Sequence, residues 1–397
     1  MDISKRKITR REMLRLTALG GLVGAFLPGS TRAAEPENPA LPQVPRRVLG
    51  KTKQEIPILL MGMSMRFDQT FDPKLAECLR FGVNYFDAAD CYAGGTSETA
   101  LGNFLERSQQ RNNVWITTKS DAHDPIGLER TLDVSLRRLK TDRVDLMFMH
   151  ALNDPRFLNN DMAKMADKLK NQGKIHFFGF SCHDGTVAEL LRKAATLPWI
   201  DAIMFKYNFR DYGNRELNAA MDACHRADVG LIAMKTQGSA MSFEDRVRKF
   251  GSGRFSRPQA VLKAVWEDGR ITAAVSHMDT LEKIKANVAA ATDKSTLSAA
   301  DRDALQQYAL ATQHLYCAGC QHICGQALPA GLQVGTTLRY LMYHDSYHEL
   351  ETARGLFARL PAEARHIKGV DFSRAAALCP NKIDIAKHMD RAVHVLA

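Results

Sequence analysis

Asn84-Tyr85-Phe86-Asp87-Ala88-Ala89-Asp90-Cys91-Tyr92 is a short apolar run that ends in ionisable residues, and a helical pattern, Ser97–Arg107, follows it. Read outward from there, the same unit recurs. Apolar runs stand at Pro57–Met61, Val114–Thr118, Val144–His150, His176–Ser181, Ala202–Tyr207, Gly230–Lys235 and Thr272–Ser276. Between them lie helical patterns at Gly127–Leu139, Asn160–Asn171, Val187–Ala194, Arg215–Ala227, Arg257–Glu267 and Thr280–Ala291. Continuous apolar runs too short for buried helices, alternating with amphipathic segments, predict parallel strands covered by helices. Eight such units within residues 47–295 predict a (β/α)8 TIM barrel, and no Gly-x-Gly-x-x-Gly follows the first strand to favour a doubly wound sheet.

In a parallel barrel the chemistry gathers where strands end. Asp87 and Tyr92 follow the second strand, Lys119 ends the third and His150 ends the fourth. Carbonyl reduction needs hydride at carbon and a proton at oxygen. A free tyrosine is a weak acid near neutrality, and a neighbouring Lys ammonium favours its phenolate. Asp87 would hold Lys119 in place, and His150 would orient the substrate oxygen. Each residue alone reads blandly, as a turn cap or a solvated strand end. Their succession at neighbouring strand ends does not.

Asp87-x4-Tyr92, followed by Ser97-Glu98, Leu101-Gly102, Lys119 and His150, resembles the aldo/keto reductase family. The resemblance implies catalytic roles for Tyr92, Asp87, Lys119 and His150, and an NADP(H) cofactor, with NAD(H) as the other form. It implies cofactor contacts from Ser181, Tyr207, Lys283 and Asn287. The match is incomplete, because Cys182 stands where the family has Asn and Met204 where it has Gln. His123 and His183 lie on strand-end loops and are candidates to touch a small carbonyl or alcohol substrate.

The chain has 397 residues and a net charge of +10. Residues 1–33 carry seven basic and two acidic residues, half of that excess, and no clustered basic face argues for nucleic-acid binding. Thr9-Arg10-Arg11-Glu12-Met13-Leu14 precedes an apolar run, Leu16–Leu27, too short to span a bilayer, and Thr31-Arg32-Ala33 ends in small residues. This looks like a twin-arginine signal peptide, so the expected partner is the twin-arginine export machinery and the expected location is periplasmic or otherwise exported. Residues 34–46 read as a linker, and no stable membrane span is expected after cleavage.

Residues 296–397 read as a separate helical domain, with patterns at Thr336–His344 and Tyr347–Phe357. It carries Cys317-Ala318-Gly319-Cys320-Gln321-His322-Ile323-Cys324 and Cys379-Pro380. The spacing resembles a two-half bacterial ferredoxin in which the ligands of one cluster survive and those of the other are lost. It implies one [4Fe-4S] cluster on Cys317, Cys320, Cys324 and Cys379. A four-cysteine zinc site or disulfides are the other readings. Cys78, Cys91, Cys182 and Cys224 read as packing residues, with Cys91 and Cys182 bordering the pocket. Three functions compete: a nicotinamide-dependent carbonyl/alcohol oxidoreductase, an exported redox enzyme passing electrons through the cluster to a redox partner, and a non-catalytic barrel module.

Overall fold

A computed structural model describes residues 41–238 and 253–397 of the chain. The signal-like segment and the first part of the linker lie outside the described residues.

Eight parallel strands close into a barrel: β3 (Leu59–Gly62), β4 (Tyr85–Asp87), β5 (Trp115–Ser120), β6 (Val144–Met149), β7 (Ile175–Cys182), β8 (Ala202–Lys206), β9 (Gly230–Met234) and β10 (Ala273–Ser276), with β10 pairing back onto β3. Every strand expected from the sequence is present. A hairpin that the sequence pattern did not reveal, β1 (Arg46–Val48) with β2 (Glu55–Pro57), precedes the barrel. Leu49 and Ile56 from it join the residues filling the interior.

Alternation along the strands divides the side chains. Tyr85, Leu146, Phe148, Ala202, Met204, Ile232 and Ala273 fill the interior, while Phe86, Ile116, Met147, Phe178, Ile203 and Leu231 pack against the helices. Those helices are α1 (Pro73–Arg80), α2 (Thr96–Ser108), α3 (Pro125–Leu139), α4 (Asn160–Asn171), α5 (Val187–Ala194), α6 (Arg215–Arg226), α7 (Arg257–Trp266) and α8 (Leu281–Thr292). Helix α1 was not evident in the sequence. It starts at Asp72, whose carboxylate accepts the Lys74 N–H, with Pro73 at its first position.

Helix α9 (Ala299–Thr312) belongs to the barrel by packing, because Leu305 and Tyr308 share a core with Phe209, Phe255, Ala260 and Val261. The following core draws on residues from Cys324 onward, so the packing boundary lies later than residue 296. It is built by α10 (Gln321–Cys324), α11 (Val334–Tyr347), α12 (Leu350–Ala358), α13 (Ala362–Arg365), α14 (Ser373–Leu378) and α15 (Ile385–Leu396). Leu41–Ala397 is one compact unit, so the helical region is docked on the barrel rather than separate from it. Gly185 marks the contact. Its N–H donates to Gly319 O at 3.0 Å, and a Cβ there would meet Cys320 Cα at 2.7 Å. No helix among the described residues is long and apolar enough to cross a membrane.

Candidate active site

The alternation that fills the barrel also aims its polar ends. Counting by twos from Tyr85, Phe148 and Met204 brings Asp87, His150 and Lys206 inward at the strands' C-terminal mouth, and Lys119 and His183 follow the same parity. Lys119 Nζ lies 2.7 Å from Asp87 Oδ1, with the two side chains 1% and 4% exposed. The same ammonium donates to Ala88 O at 2.7 Å and to Tyr92 Oη at 3.4 Å, and lies 4.8 Å from the centre of the Tyr92 ring. The His150 ring meets Tyr92 edge-on at 5.7 Å. All four residues of the sequence-based tetrad therefore converge.

Tyr92 reaches the mouth through a tight turn. Ala93, Gly94 and Gly95 all have positive φ (49°, 67° and 88°) before α2 begins. A Cβ at Gly95 would also come within 2.3 Å of Arg138 Cζ, so the guanidinium would have to shift. Arg138 pairs with the buried Glu98 at 3.2 Å, and Thr118 donates to the other Glu98 oxygen, which locks α2 to β5.

The electrostatics depart from the sequence reading in one respect. Burial, then the negative charge of Asp87, pushes the Tyr92 hydroxyl well above the usual tyrosine value. The expected depression by Lys119 is outweighed by burial of the ring and by the Asp87 charge beside it. Tyr92 is therefore held protonated, as a donor must be. Burial likewise holds Asp87 above the usual carboxylate range, against the pull of Lys119. Burial depresses the His150 imidazole, which stays neutral. Its Nδ1 faces Asp121 Oδ1 at 2.8 Å and Cys91 Sγ at 3.6 Å. This fixes the ring orientation and leaves Nε2 as its other polar atom. Asp121, which the sequence reading did not single out, is thus a positioning residue. His123 reaches the His150 carbonyl at 2.6 Å rather than the mouth.

The four positions expected to hold a nicotinamide dinucleotide are not equivalent. Ser181 is buried, and its Oγ accepts the Ala151 N–H at 3.0 Å. Asn287 Nδ2 donates to Ser276 Oγ at 3.0 Å, and Lys283 pairs with Asp279 at 2.6 Å, so both sit at the end of β10. Tyr207 is a correction. It follows Lys206 by one residue, so parity turns it outward among the helices, where its hydroxyl donates to Asp268 Oδ2 at 2.7 Å. Lys206 takes the inward place, a signal that strict alternation from Met204 carried. Cys182 also faces outward, buried in the helix-facing core, as a packing residue.

In the helical region, Cys317, Cys320, Cys324 and Cys379 line one small cavity with Val334, Leu338 and Ile383. All four are free thiols, so no disulfide joins them. Burial raises Cys317 to about 12, and burial also raises Cys320 and Cys324. Lys206 Nζ donates to Ala318 O at 3.0 Å, tying the cysteine loop to the barrel mouth.

The architecture and this buried Tyr–Lys–Asp–His group define a TIM barrel with a polar site at its C-terminal mouth. The chain belongs to the aldo/keto reductase family, whose sequence pattern it matches over residues 63–312. It is 25% identical over 178 residues to an aldo-keto reductase of Schizosaccharomyces pombe whose name carries NADP(+), covering 41% of this chain and 51% of the relative. It is 26% identical over 195 residues to an aldo-keto reductase of Gibberella moniliformis, covering 47% and 57%. The chain thus spans little more than half the length of these curated relatives. Among solved structures, a holo-form aldo-keto reductase from Bacillus halodurans superposes with a TM-score of 0.56 at 20% identity, covering 67% of this chain and 96% of that one. A Pseudomonas aeruginosa protein superposes at 0.52 with 23% identity, covering 64% and 98%. Those likenesses concern the fold.

Proposed function

We propose that the protein interconverts a carbonyl and an alcohol, with Tyr92 as the proton donor in reduction. The observation that carries this is the contiguous buried group in which Asp87 fixes Lys119, Lys119 reaches the Tyr92 hydroxyl, and a neutral His150 stands beside it. A carbonyl oxygen beside Tyr92 Oη would accept the tyrosine proton as negative charge develops, while the neutral His150, whose Nδ1–H is given to Asp121, presents Nε2 as an acceptor for the alcohol hydroxyl that forms. Asp121 keeps the imidazole aimed, and Lys119 supplies positive charge to the tyrosinate left behind.

NADP(H) would supply the hydride, with NAD(H) the other form. Ser181, Lys283 and Asn287 are at strand-end positions suited to holding it, whereas the outward Tyr207 does not fit that role. The name of the fission-yeast relative supports the phosphorylated form. The test is turnover of an aldehyde and sugar panel with NADPH and NADH, comparing wild type with Tyr92→Phe. Equal rates in the two proteins would sink the reading.

We also propose that Cys317, Cys320, Cys324 and Cys379 hold one [4Fe-4S] cluster. Among the described residues, three ligand-type atoms within 4.8 Å of one another occur at Cys91, Asp121 and His150. The four tail cysteines line one small cavity, as the four thiolate ligands of such a cluster would. When bound, the cluster would supply one-electron transfer. Cys317, Ala318, Gly335, Leu338 and Ile383 line both this cavity and a larger one reached by His183, Lys206 and Lys235 of the barrel, which supports the second reading of electrons exchanged with a redox partner. Iron and sulfide content of anaerobically purified protein tests the cluster. Twin-arginine export to the periplasm is proposed from residues 9–33 alone, and cell fractionation with Arg10 and Arg11 replaced by Lys tests it.

A further inference from the structure

A cavity of about 190 Å³ lies between the barrel mouth and helix α11. Roughly 150 Å³ is enough to hold benzene, so this space suits one small organic molecule and is far too small for a dinucleotide. Five cationic side chains line it, Lys206, Lys235, Arg339, Lys387 and Arg391, against one acid, Asp345. Several of these cations are already engaged. Lys206 pairs with Asp211 at 3.4 Å and Arg391 with Asp345 at 2.7 Å.

Lys235 differs. Its ammonium faces the Tyr343 hydroxyl at 3.2 Å and lies 4.7 Å from the ring centre, and among the described residues no carboxylate lies within ion-pair distance of it. Arg339, whose flat guanidinium suits a carboxylate, reaches Asp184 with one nitrogen at 3.1 Å. The field of these two cations is visible on the neutral groups beside them. Burial raises the Tyr343 phenol, yet Lys235 and Arg339 outweigh it and leave the group more acidic than usual. Burial, then Lys235 and Arg339, depress His183.

His183 lines the cavity and stands between it and the tetrad. That ring lies 5.9 Å from His150, which lies 5.7 Å from Tyr92. His183 Nδ1 is shut off from solvent with no hydrogen-bond partner among the described residues, a cost that a ligand would relieve.

We propose that this cavity binds a small organic carboxylate, its anionic group held by Lys235 and Arg339 and its carbonyl directed past His183 toward Tyr92 and His150. The proposal names the substrate class of the site described above and rests on that reading.

The test compares 4-carboxybenzaldehyde with its methyl ester, and measures benzoate binding by calorimetry, on the full chain. The acid is expected to show a kcat/KM about tenfold above the ester, the size of one charge-assisted contact. Lys235→Met should abolish that ratio mainly through KM and weaken benzoate binding about tenfold. Salt should weaken benzoate binding to wild type, a measurement independent of any variant. If the ester is reduced as well as the acid and benzoate does not bind, the anion site is refuted while the reductase reading stands. If benzoate binds in a Lys235-dependent way and no aldehyde reacts, the site stands and the reductase reading falls.

Discussion

Removing Lys119 is expected to harm the fold as well as the chemistry. Its ammonium stands 2.7 Å from Asp87, with both side chains almost wholly buried. With an effective dielectric near 20, attraction at that distance is about 6 kcal/mol, most of it offset by the desolvation of both ions. Lys119→Met loses the attraction and keeps the Asp87 desolvation, so the loss at pH 7 should be about 3–5 kcal/mol. The pH dependence follows from burial, which already holds Asp87 above its unfolded value even with Lys119 present. Without the ammonium the folded value rises further. A carboxyl whose folded pKa is raised favours the native state at low pH and loses that advantage as pH climbs through it. The variant's deficit should therefore be largest at pH 7–8 and shrink toward pH 5. The double variant Asp87→Asn/Lys119→Met removes both charges and should recover at least half the loss. Urea unfolding of the four proteins at pH 5 and 7.5 reads this as a double-mutant cycle. A deficit independent of pH, or a double variant as unstable as the sum of the singles, would refute the claim that an uncompensated buried carboxylate is the cause.

Tyr92→Phe should lower kcat for carbonyl reduction by roughly 10²–10⁴-fold, the usual worth of a positioned acid, with little change in the unfolding midpoint. Because burial holds Tyr92 well above 10 and His150 below 6.5, kcat/KM for reduction should be flat from about pH 7 to 10; a basic limb below pH 9 would contradict the assignment of Tyr92. Cys379→Ala should remove the broad visible absorbance and most of the iron from anaerobically prepared protein, and full zinc occupancy with no iron in wild type would exclude the cluster. Gly185→Ala forces a Cβ to within 2.7 Å of Cys320 Cα, so it should cost about 1–3 kcal/mol and disturb the cysteine loop; wild-type stability and metal content would show that the helical region is not seated there.

Much of this protein is legible along the chain because its logic is periodic. Strand runs, the spacing of helices and the order Asp87, Tyr92, Lys119, His150 depend on neighbours in sequence, and a barrel brings consecutive strand ends together. Even the outward Tyr207 was readable by counting from Met204. The hairpin β1–β2 was not, because Arg46–Val48 is too short to show a pattern and is held by pairing to Glu55–Pro57. The displacement of the Tyr92 pKa was not either, since it depends on how much water reaches the ring and on how near the Asp87 charge is brought to it. Nor was the cavity over the mouth. Lys235 and Tyr343 are more than a hundred residues apart, and only the docking of α11 sets them 3.2 Å from each other. Periods of two and of 3.6 along the chain are enough to specify the barrel and which groups face inward. The tertiary structure decided what covers those groups and how charged they are, because burial and long-range pairing have no counterpart in local spacing.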